Sequence, residues 1–385
     1  MHLKQSEYYY LELEDKMKIR GGLSAASYFV LKYKNMKIFI TGGAGYIGAM
    51  LVDQFSKRED VEKIITLDKE PETDLTKNSP NRNKVEYLEM NTVDGGWLEK
   101  LKEFAPDVVI HTAWQIRHMY GDEKTEWEWN IDGSDKIFDF VFSAPSVKKL
   151  IHFSTVASYG AFPDNEMNHF YKESEAFRES GYLYAEEKRV CEEHLEERYK
   201  KAKESGWNGQ VFIVRPAAIT GPRGRYDRIR FGLQSALSGN LKRGFVNNIV
   251  MLLTSFVPVT KKWLRQYIHE DDVCDIVALF TFNNLEGSYE VFNISPPGDV
   301  VLGKDMAEAV GKKTIPIYPW MARIAFFFFW HATRGKIPTS PGSWRGYSYP
   351  IAVDGSKLTK QYGYEYKFPS KEAFVKNEGR YKVTL

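Results

Sequence analysis

Tyr184-Ala185-Glu186-Glu187-Lys188 sets a phenol four residues ahead of an ammonium. On a helix, positions i and i+4 share a face. A lysine held there stabilises a phenolate and lowers a tyrosine pKa from its reference of about 10. Bringing it to about 7 takes roughly 4 kcal/mol of differential stabilisation, more than one exposed cation supplies. A second positive group beside the phenol completes the sum, and the product is a general base for neutral pH. The spacing recurs, starting at Tyr28, Tyr33, Tyr120, Tyr184 and Tyr199. Only Tyr184 opens a helical stretch that follows a strand carrying Ser154 and Thr155. The Thr155 hydroxyl can donate to a substrate oxygen and hold it beside Tyr184. Ser154 competes for that role, and a strand-end hydroxyl bonded to backbone is the plainer alternative for Thr155.

A phosphate site lies far upstream. Lys37-Ile38-Phe39-Ile40 reads as a buried strand and runs into Thr41-Gly42-Gly43-Ala44-Gly45-Tyr46-Ile47-Gly48. Helical apolar spacing follows from Ala49 to Phe55. Strand, glycine turn and helix make a dinucleotide site. Gly42 allows the tight turn, Gly45 lets backbone approach a pyrophosphate, and Gly48 lets the helix pack on the strand. The helix N-terminus supplies N–H groups and a positive dipole to the phosphates. The next strand, Lys63 to Asp68, ends in an acid 20 residues after Gly48. A carboxylate there accepts from the ribose hydroxyls of NAD and repels the 2′-phosphate of NADP, so NAD is the expected cofactor. Lys69, next to it, pulls the other way. The nicotinamide ring is then the second positive group that Tyr184 needs.

These groups need a scaffold that brings strand ends together. Apolar strands and helices alternate. Strands are predicted near 84–91, 107–113, 148–155 and 210–215, and helices over 97–104, 127–142 and 184–203. The pattern predicts an α/β fold, a Rossmann-type doubly wound parallel sheet with ligands beyond the carboxyl ends of its strands. Residues 1–35 read as an N-terminal extension ahead of Met36. The NAD-binding domain is expected over 36–215, with 265–295 returning to it. A smaller C-terminal substrate-binding portion takes 216–264 and 296–385. Arg223, Arg225, Arg228 and Arg230 can grip a diphosphate or form a solvated basic helix start.

A chain of 385 residues with net charge +2 has room for a full core and no broad attraction to nucleic acid. Cys191 and Cys274 are its two cysteines, which fits a reducing, cytoplasmic setting without a disulfide framework or a zinc cluster. No stretch reaches the roughly 18–20 apolar residues of a membrane span. Ile324-Ala325-Phe326-Phe327-Phe328-Phe329-Trp330 reads as a buried helix. A greasy substrate pocket, a dimer surface and a peripheral membrane contact are its alternatives.

Taken together, the motifs resemble the extended short-chain dehydrogenases/reductases, the family that includes nucleotide-sugar epimerases and dehydratases. The resemblance rests on the Thr41–Gly48 loop, Asp68, His111-Thr112-Ala113, Asn130, Ser154-Thr155 before Tyr159-Gly160, and Tyr184 with Lys188. It continues through Arg215-Pro216, Gly221-Pro222 and Ile268-His269-Glu270-Asp271-Asp272, in the family's order over about 37–294. It implies that Gly42, Gly45, Tyr46, Ile47 and Gly48 wrap the pyrophosphate. Asn91 and Thr92 would flank the adenine, although the family usually has Asp at the first place. Thr112 and Ala113 would line the cofactor, and Asn130 would order the cofactor and the lysine. Thr155, Tyr184 and Lys188 would form the catalytic group, and paired helices would make a homodimer.

Two departures bear on the substrate. The 4,6-dehydratases usually carry Asp-Glu directly after the catalytic threonine, where this chain has Val156-Ala157. Many sugar-nucleotide enzymes have Asn near Ala218. The favoured activity is an NAD-dependent epimerase-type oxidoreductase, on a nucleotide sugar. A dehydrogenase or reductase of an apolar alcohol or ketone, sterol-like or flavonoid-like, is one alternative. A non-catalytic NAD-binding protein is the other.

Overall fold

The computed structural model describes residues 35–224, 256–309 and 311–382. The expectations placed on residues 1–34 and on Arg225, Arg228 and Arg230 lie outside the described residues.

Seven parallel strands form the central sheet: β1 (Met36–Thr41), β2 (Val61–Asp68), β3 (Val85–Glu89), β4 (Val108–His111), β5 (Lys149–Phe153), β6 (Gln210–Pro216) and β7 (Tyr289–Ile294). Their spatial order is β7-β6-β5-β4-β1-β2-β3. This is the doubly wound Rossmann-type sheet that the alternation predicts. Both faces are buried, so the strands are apolar throughout rather than alternating with polar residues. Ile38 and Ile40 join the core on one face with Met50, Phe55, Phe212 and Phe280. Phe39 points the other way, into a core with Trp97, Phe138, Phe140 and Leu195. That division follows from the two-residue repeat of a strand.

Chain direction across the sheet reverses between β1 and β4. Thr41 and His111, the last residues of those strands, lie in register. A crevice opens beyond them, as such a switch point requires.

Helices cover the sheet: α1 (Tyr46–Ser56), α2 (Leu98–Phe104), α3 (Gly133–Ser143), α4 (Leu183–Glu204) and α5 (Glu270–Phe282). The single helix expected over 127–142 is broken. A short helix at Glu123–Trp127 passes through a π-helical turn at Glu128–Asp132 before α3 begins. Such a turn adds a residue to the helix and re-aims its side chains, often at functional sites. The strand expected over 84–91 stops at Glu89. Asn91 ends it by capping a turn, its side chain accepting from Val93 N–H while Asp94 accepts from Asn91 N–H. At the far end of α5, the buried Lys149 ammonium donates to the carbonyls of Phe280 (3.0 Å) and Asn283 (2.6 Å), satisfying acceptors that a helix end leaves open.

Beyond β6 the elements shorten. Ala218–Thr220 pairs with Tyr267–His269, Leu264–Arg265 with Val301–Leu302, and Phe256–Val259 with Lys313–Pro316. A last apolar helix, α6 (Pro319–Ala332), contains the Phe-rich stretch. The expectation that it is buried is wrong. Of its residues only Ala322 and Trp330 are buried, and Ile324, Phe327 and Phe328 face outward. Phe326 packs on Tyr347 and Trp330 stacks on His118, so one flank alone is held. No described helix is long and apolar enough to cross a membrane.

Candidate active site

The glycine loop leaves β1 at Thr41. Gly42 has φ of 79°, and a Cβ there would strike the Thr112 hydroxyl and Ala113 N–H. A Cβ at Gly48 would overlap the Gly42 carbonyl oxygen. Strand end and helix therefore meet backbone to backbone, and the N-terminus of α1 opens into the crevice with no side chain across it. Gly45 stands at its N-cap with no side-chain partner. The Tyr46 hydroxyl donates to Glu270, tying the loop to α5.

Asp68 closes one end of this loop. Its carboxylate accepts from Ala44 N–H and Glu70 N–H, both at 3.0 Å. Lys69 is drawn aside, paired with Glu70 and lying 4.9 Å over the Trp129 ring.

Behind the loop runs a chain of buried polar groups. Ala113 N–H donates to Thr41 Oγ1 (3.2 Å), and Thr41 Oγ1 lies 2.7 Å from His111 Nδ1. His111 Nε2 lies 2.8 Å from Ser134 Oγ, which donates to the Asn130 carbonyl at 2.5 Å. Every donor meets an acceptor if the imidazole is neutral and protonated on Nε2. Burial enforces that state by pushing His111 down to about 3.

Asn130 stands on the π-helical turn. Its amide pairs with both backbone groups of Gln115 and donates to Glu187 at 2.7 Å. Glu187 lies between Tyr184 and Lys188 in sequence and is fully buried. Burial pushes its carboxyl up to about 7, with the buried Glu126 adding to the rise. Glu126 is held by His118 Nδ1 and Met119 N–H, each at 2.7 Å. Burial pulls the His118 imidazolium down, but Glu126 with Glu123 and Glu187 together outweigh it, and the net displacement is upward.

Lys188 donates to the Phe153 carbonyl at 2.5 Å and lies 3.5 Å over the Trp114 ring. Burial pushes its ammonium down to about 7. Tyr184, one turn earlier on α4, has its ring 5.7 Å from that of Tyr182. Thr155 caps the turn after β5, its Oγ1 accepting from Ala157 N–H at 3.2 Å. That bond uses a lone pair and leaves the hydroxyl proton to donate. The neighbouring Ser154 hydroxyl is buried and has no hydrogen-bond partner among the described residues.

One cavity of about 670 Å³ joins these groups. Gly42, Gly45, Tyr46, Ile47, Gly48, Asp68, Asn91, Thr92, Thr112, Ala113 and Asn130 line it, and so do Thr155, Tyr184 and Lys188. Arg223 is not on its wall. Its N–H donates to Glu270 and its guanidinium lies 5.9 Å over the Tyr381 ring.

Two other arginines do reach the wall, Arg265 and Arg345, and sequence reasoning passed them over. Arg265 donates to the carbonyls of Leu264 and Tyr349 and lies 5.9 Å over Trp263. No carboxylate pairs with it among the described residues, and burial pushes its guanidinium down to about 10. Its signal was slight: a cation among Trp263-Leu264-Arg265-Gln266-Tyr267, just ahead of the Ile268-His269 motif. Val156, Ala157 and Ala218 also line the cavity, so neither the acid pair nor the Asn of some relatives is replaced there by another polar group.

A cradle that any Cβ would fill, a helix N-terminus and a strand-end carboxylate fit an NAD pyrophosphate and ribose.

Among solved structures, Bordetella bronchiseptica WbmG in complex with NAD and UDP superposes with a TM-score of 0.64 at 19% identity, over 91% of this chain and 94% of that one. A UDP-glucose 4-epimerase with UDP-glucose from Thermotoga maritima gives 0.59 at 22% identity, over 88% and 96%. These likenesses are of fold. In sequence, a UDP-glucose 4-epimerase of Mycolicibacterium smegmatis is 30% identical over 34% of this chain and 44% of its own length. A dTDP-D-glucose 4,6-dehydratase of Dictyostelium discoideum is 27% identical over 67% of this chain and 62% of its own. The chain thus spans 44% and 62% of the length of those relatives. The model of one family matches residues 38–295, two thirds of the sequence and all of the sheet except Met36 and Lys37. The chain belongs to the NAD dependent epimerase/dehydratase family.

Proposed function

We propose that this chain is an NAD-dependent epimerase-type oxidoreductase acting on a nucleotide sugar. The observation that carries the substrate class is Arg265, a half-buried guanidinium on the cavity wall without a countercharge among the described residues. A cation in that position is costly unless an anion joins it. The diphosphate of a nucleotide sugar supplies one, with Arg345 beside it.

The glycine loop and the N-terminus of α1 would hold the cofactor pyrophosphate, and Asp68 the ribose hydroxyls. NAD, when bound, supplies reversible hydride exchange with a carbinol carbon. Tyr184 Oη takes the proton of the sugar hydroxyl and later returns it. Lys188 favours the phenolate by its charge, and the Phe153 carbonyl and the Trp114 ring hold it in place. Thr155 Oγ1 donates to the reacting oxygen, while Asn130 and Glu187 pin the helices that carry these groups. Residues 216–219, 263–267, 326 and 338–351 form the substrate side of the cavity.

Val156 and Ala157 favour epimerisation over dehydration. Elimination of water needs an acid and a base where the cavity wall has only methyl groups. The aromatic wall of Trp263, Phe326 and Tyr347 favours a second reading, oxidation of an apolar alcohol. Proton NMR of the purified chain with NAD and a panel of UDP- and dTDP-sugars separates the two. Interconversion of two sugars without NADH absorbance is the expected result. NADH formation from an apolar alcohol, with every sugar nucleotide inert, overturns the proposal.

A further inference from the structure

Helix α6 exposes one continuous apolar face. Trp320 is 62% exposed, Ile324 60%, Phe327 67% and Phe328 63%. These positions recur every three or four residues, so they share one side of the helix. Met321 and Tyr318 extend the same surface. An aromatic side chain carries about 150–250 Å², so the three rings alone leave about 300–450 Å² in water. With the others, the patch exceeds what a monomeric soluble protein usually leaves uncovered.

The charge around it is one-sided. From 309 to 353 the sequence has no Asp or Glu, and it has Lys312, Lys313, Arg323, Arg334, Lys336 and Arg345. The whole chain is only +2, so this segment carries a marked local excess of positive charge. Lys313, Arg323, Arg334 and Lys336 are exposed. Two acids of the segment that packs on the C-terminal end of α6 are already engaged. Asp122 caps the helix at Glu123–Trp127, and Glu123 lies 3.5 Å from His118.

The opposite flank of α6 anchors the helix. Trp330 stacks on His118, and Tyr120 meets both Trp330 and His331. Phe326 lines the active-site cavity. The apolar face is therefore presented on a fixed helix whose other side is the cavity wall.

We propose that the outward face of α6, with its basic fringe, docks on an anionic lipid surface and lies in the interfacial plane. Exposed Trp and Phe enter the boundary between headgroups and acyl chains, and Lys and Arg meet acidic headgroups. A second copy of this chain would bring the same cations face to face, which disfavours it as occupant. Docking fixes from outside the helix whose inner side carries Phe326 on the cavity wall.

The test is flotation of the full chain with vesicles of phosphatidylcholine, alone or with about one third phosphatidylglycerol. Binding is expected to the anionic vesicles and to weaken as salt rises. Phe327→Ser with Phe328→Ser lowers it by at least about tenfold. Arg334→Gln with Lys336→Gln lowers it by about fivefold per cation, without touching an apolar contact. Both variants keep NAD binding and the melting transition of the parent, because the altered side chains are exposed. Equal recovery with neutral and anionic vesicles overturns the proposal. So does a dimer in sedimentation velocity that either double variant dissolves, since another copy then covers the face.

Discussion

The glycine-loop wall of the cavity and its arginine wall are held by different kinds of contact. The first takes residues 42–48, 68 and 112–113 from the ends of neighbouring sheet strands. Its bonds run between groups a strand apart, such as Gly42 N–H to the Leu67 carbonyl (2.7 Å) and Thr112 Oγ1 to the Thr41 carbonyl (2.7 Å). The second takes residues 263–267 and 343–351 from two remote segments. Side chains clasp backbone across them: Arg265 to Tyr349, Gln266 to Val353 in both directions, Thr260 to Ser348 and Tyr347 to Pro258. One wall inherits its shape from the sheet. The other depends on individual side chains and can change without disturbing the sheet. In the proposed function, the cofactor belongs to the first wall and the choice of substrate to the second.

That division predicts separable damage. Tyr184 stands where the walls meet, so its loss should cost chemistry and neither ligand. Tyr184→Phe is expected to lower turnover by about 10²–10⁴-fold, the usual worth of a general acid–base group. NAD affinity, read by calorimetry, should stay within a few-fold. Full activity in this variant would falsify the assignment of the base. Arg265→Met acts on one wall alone. Hydrogen bonds to charged groups are worth about 1.5–3 kcal/mol, so UDP affinity should drop by about 10–150-fold with NAD affinity unchanged. If both affinities fall together, the walls are not independent.

The same division explains what the sequence disclosed. β1, the glycine turn and α1 are contiguous, and each glycine is required by a backbone contact that local pattern reveals. The parallel sheet was legible because apolar strands and amphipathic helices alternate at short range. Asn130 illustrates the limit. It sits on a π-helical turn with its amide paired to the Gln115 backbone and to Glu187, and no periodicity announces such partners. Arg265 was missed for a similar reason, since its place on the wall depends on the Tyr349 carbonyl some 80 positions away. Arg223 misled, because a run of arginines after Gly221-Pro222 resembles an anion grip, whereas Arg223 turns toward Tyr381. Helix α6 misled because hydropathy reports what a side chain prefers, and its outer face has no cover from the described protein.

A smaller effect tests how the glycine-loop wall selects its cofactor. In the proposed function Asp68 meets the ribose hydroxyls, while Lys69 pairs with Glu70 and lies over the Trp129 ring. Removing one like charge at a partly exposed site is worth about 1–4 kcal/mol. Asp68→Asn keeps an acceptor for Ala44 N–H and should raise NADP affinity relative to NAD by about tenfold or more. An unchanged ratio of the two dissociation constants would show that Lys69, not Asp68, governs the choice.

The smallest effect concerns the layer beneath both walls. In the folded chain Glu187 titrates at about 7, above its ordinary 4.5. Folded protein therefore keeps a proton that unfolded chain releases between those values, and stability falls as pH rises through that window. Lys188 is displaced the other way, from 10.5 to about 7. Above 7 the unfolded chain binds a proton that the folded chain does not, so stability recovers toward 10.5. The two groups together put a minimum near neutral pH, with Glu126, His118, Asn130 and Glu192 as the neighbours that set its depth. Glu187→Gln keeps the bond from Asn130 and cannot ionise. Its urea midpoint should lack the decline from about pH 5 to 7 and gain about 1–2 kcal/mol on the parent across that interval, after allowance for screening. A parallel decline in parent and variant would move the titration to the Glu126–His118 pair and leave Glu187 a hydrogen-bonding post for Asn130 alone.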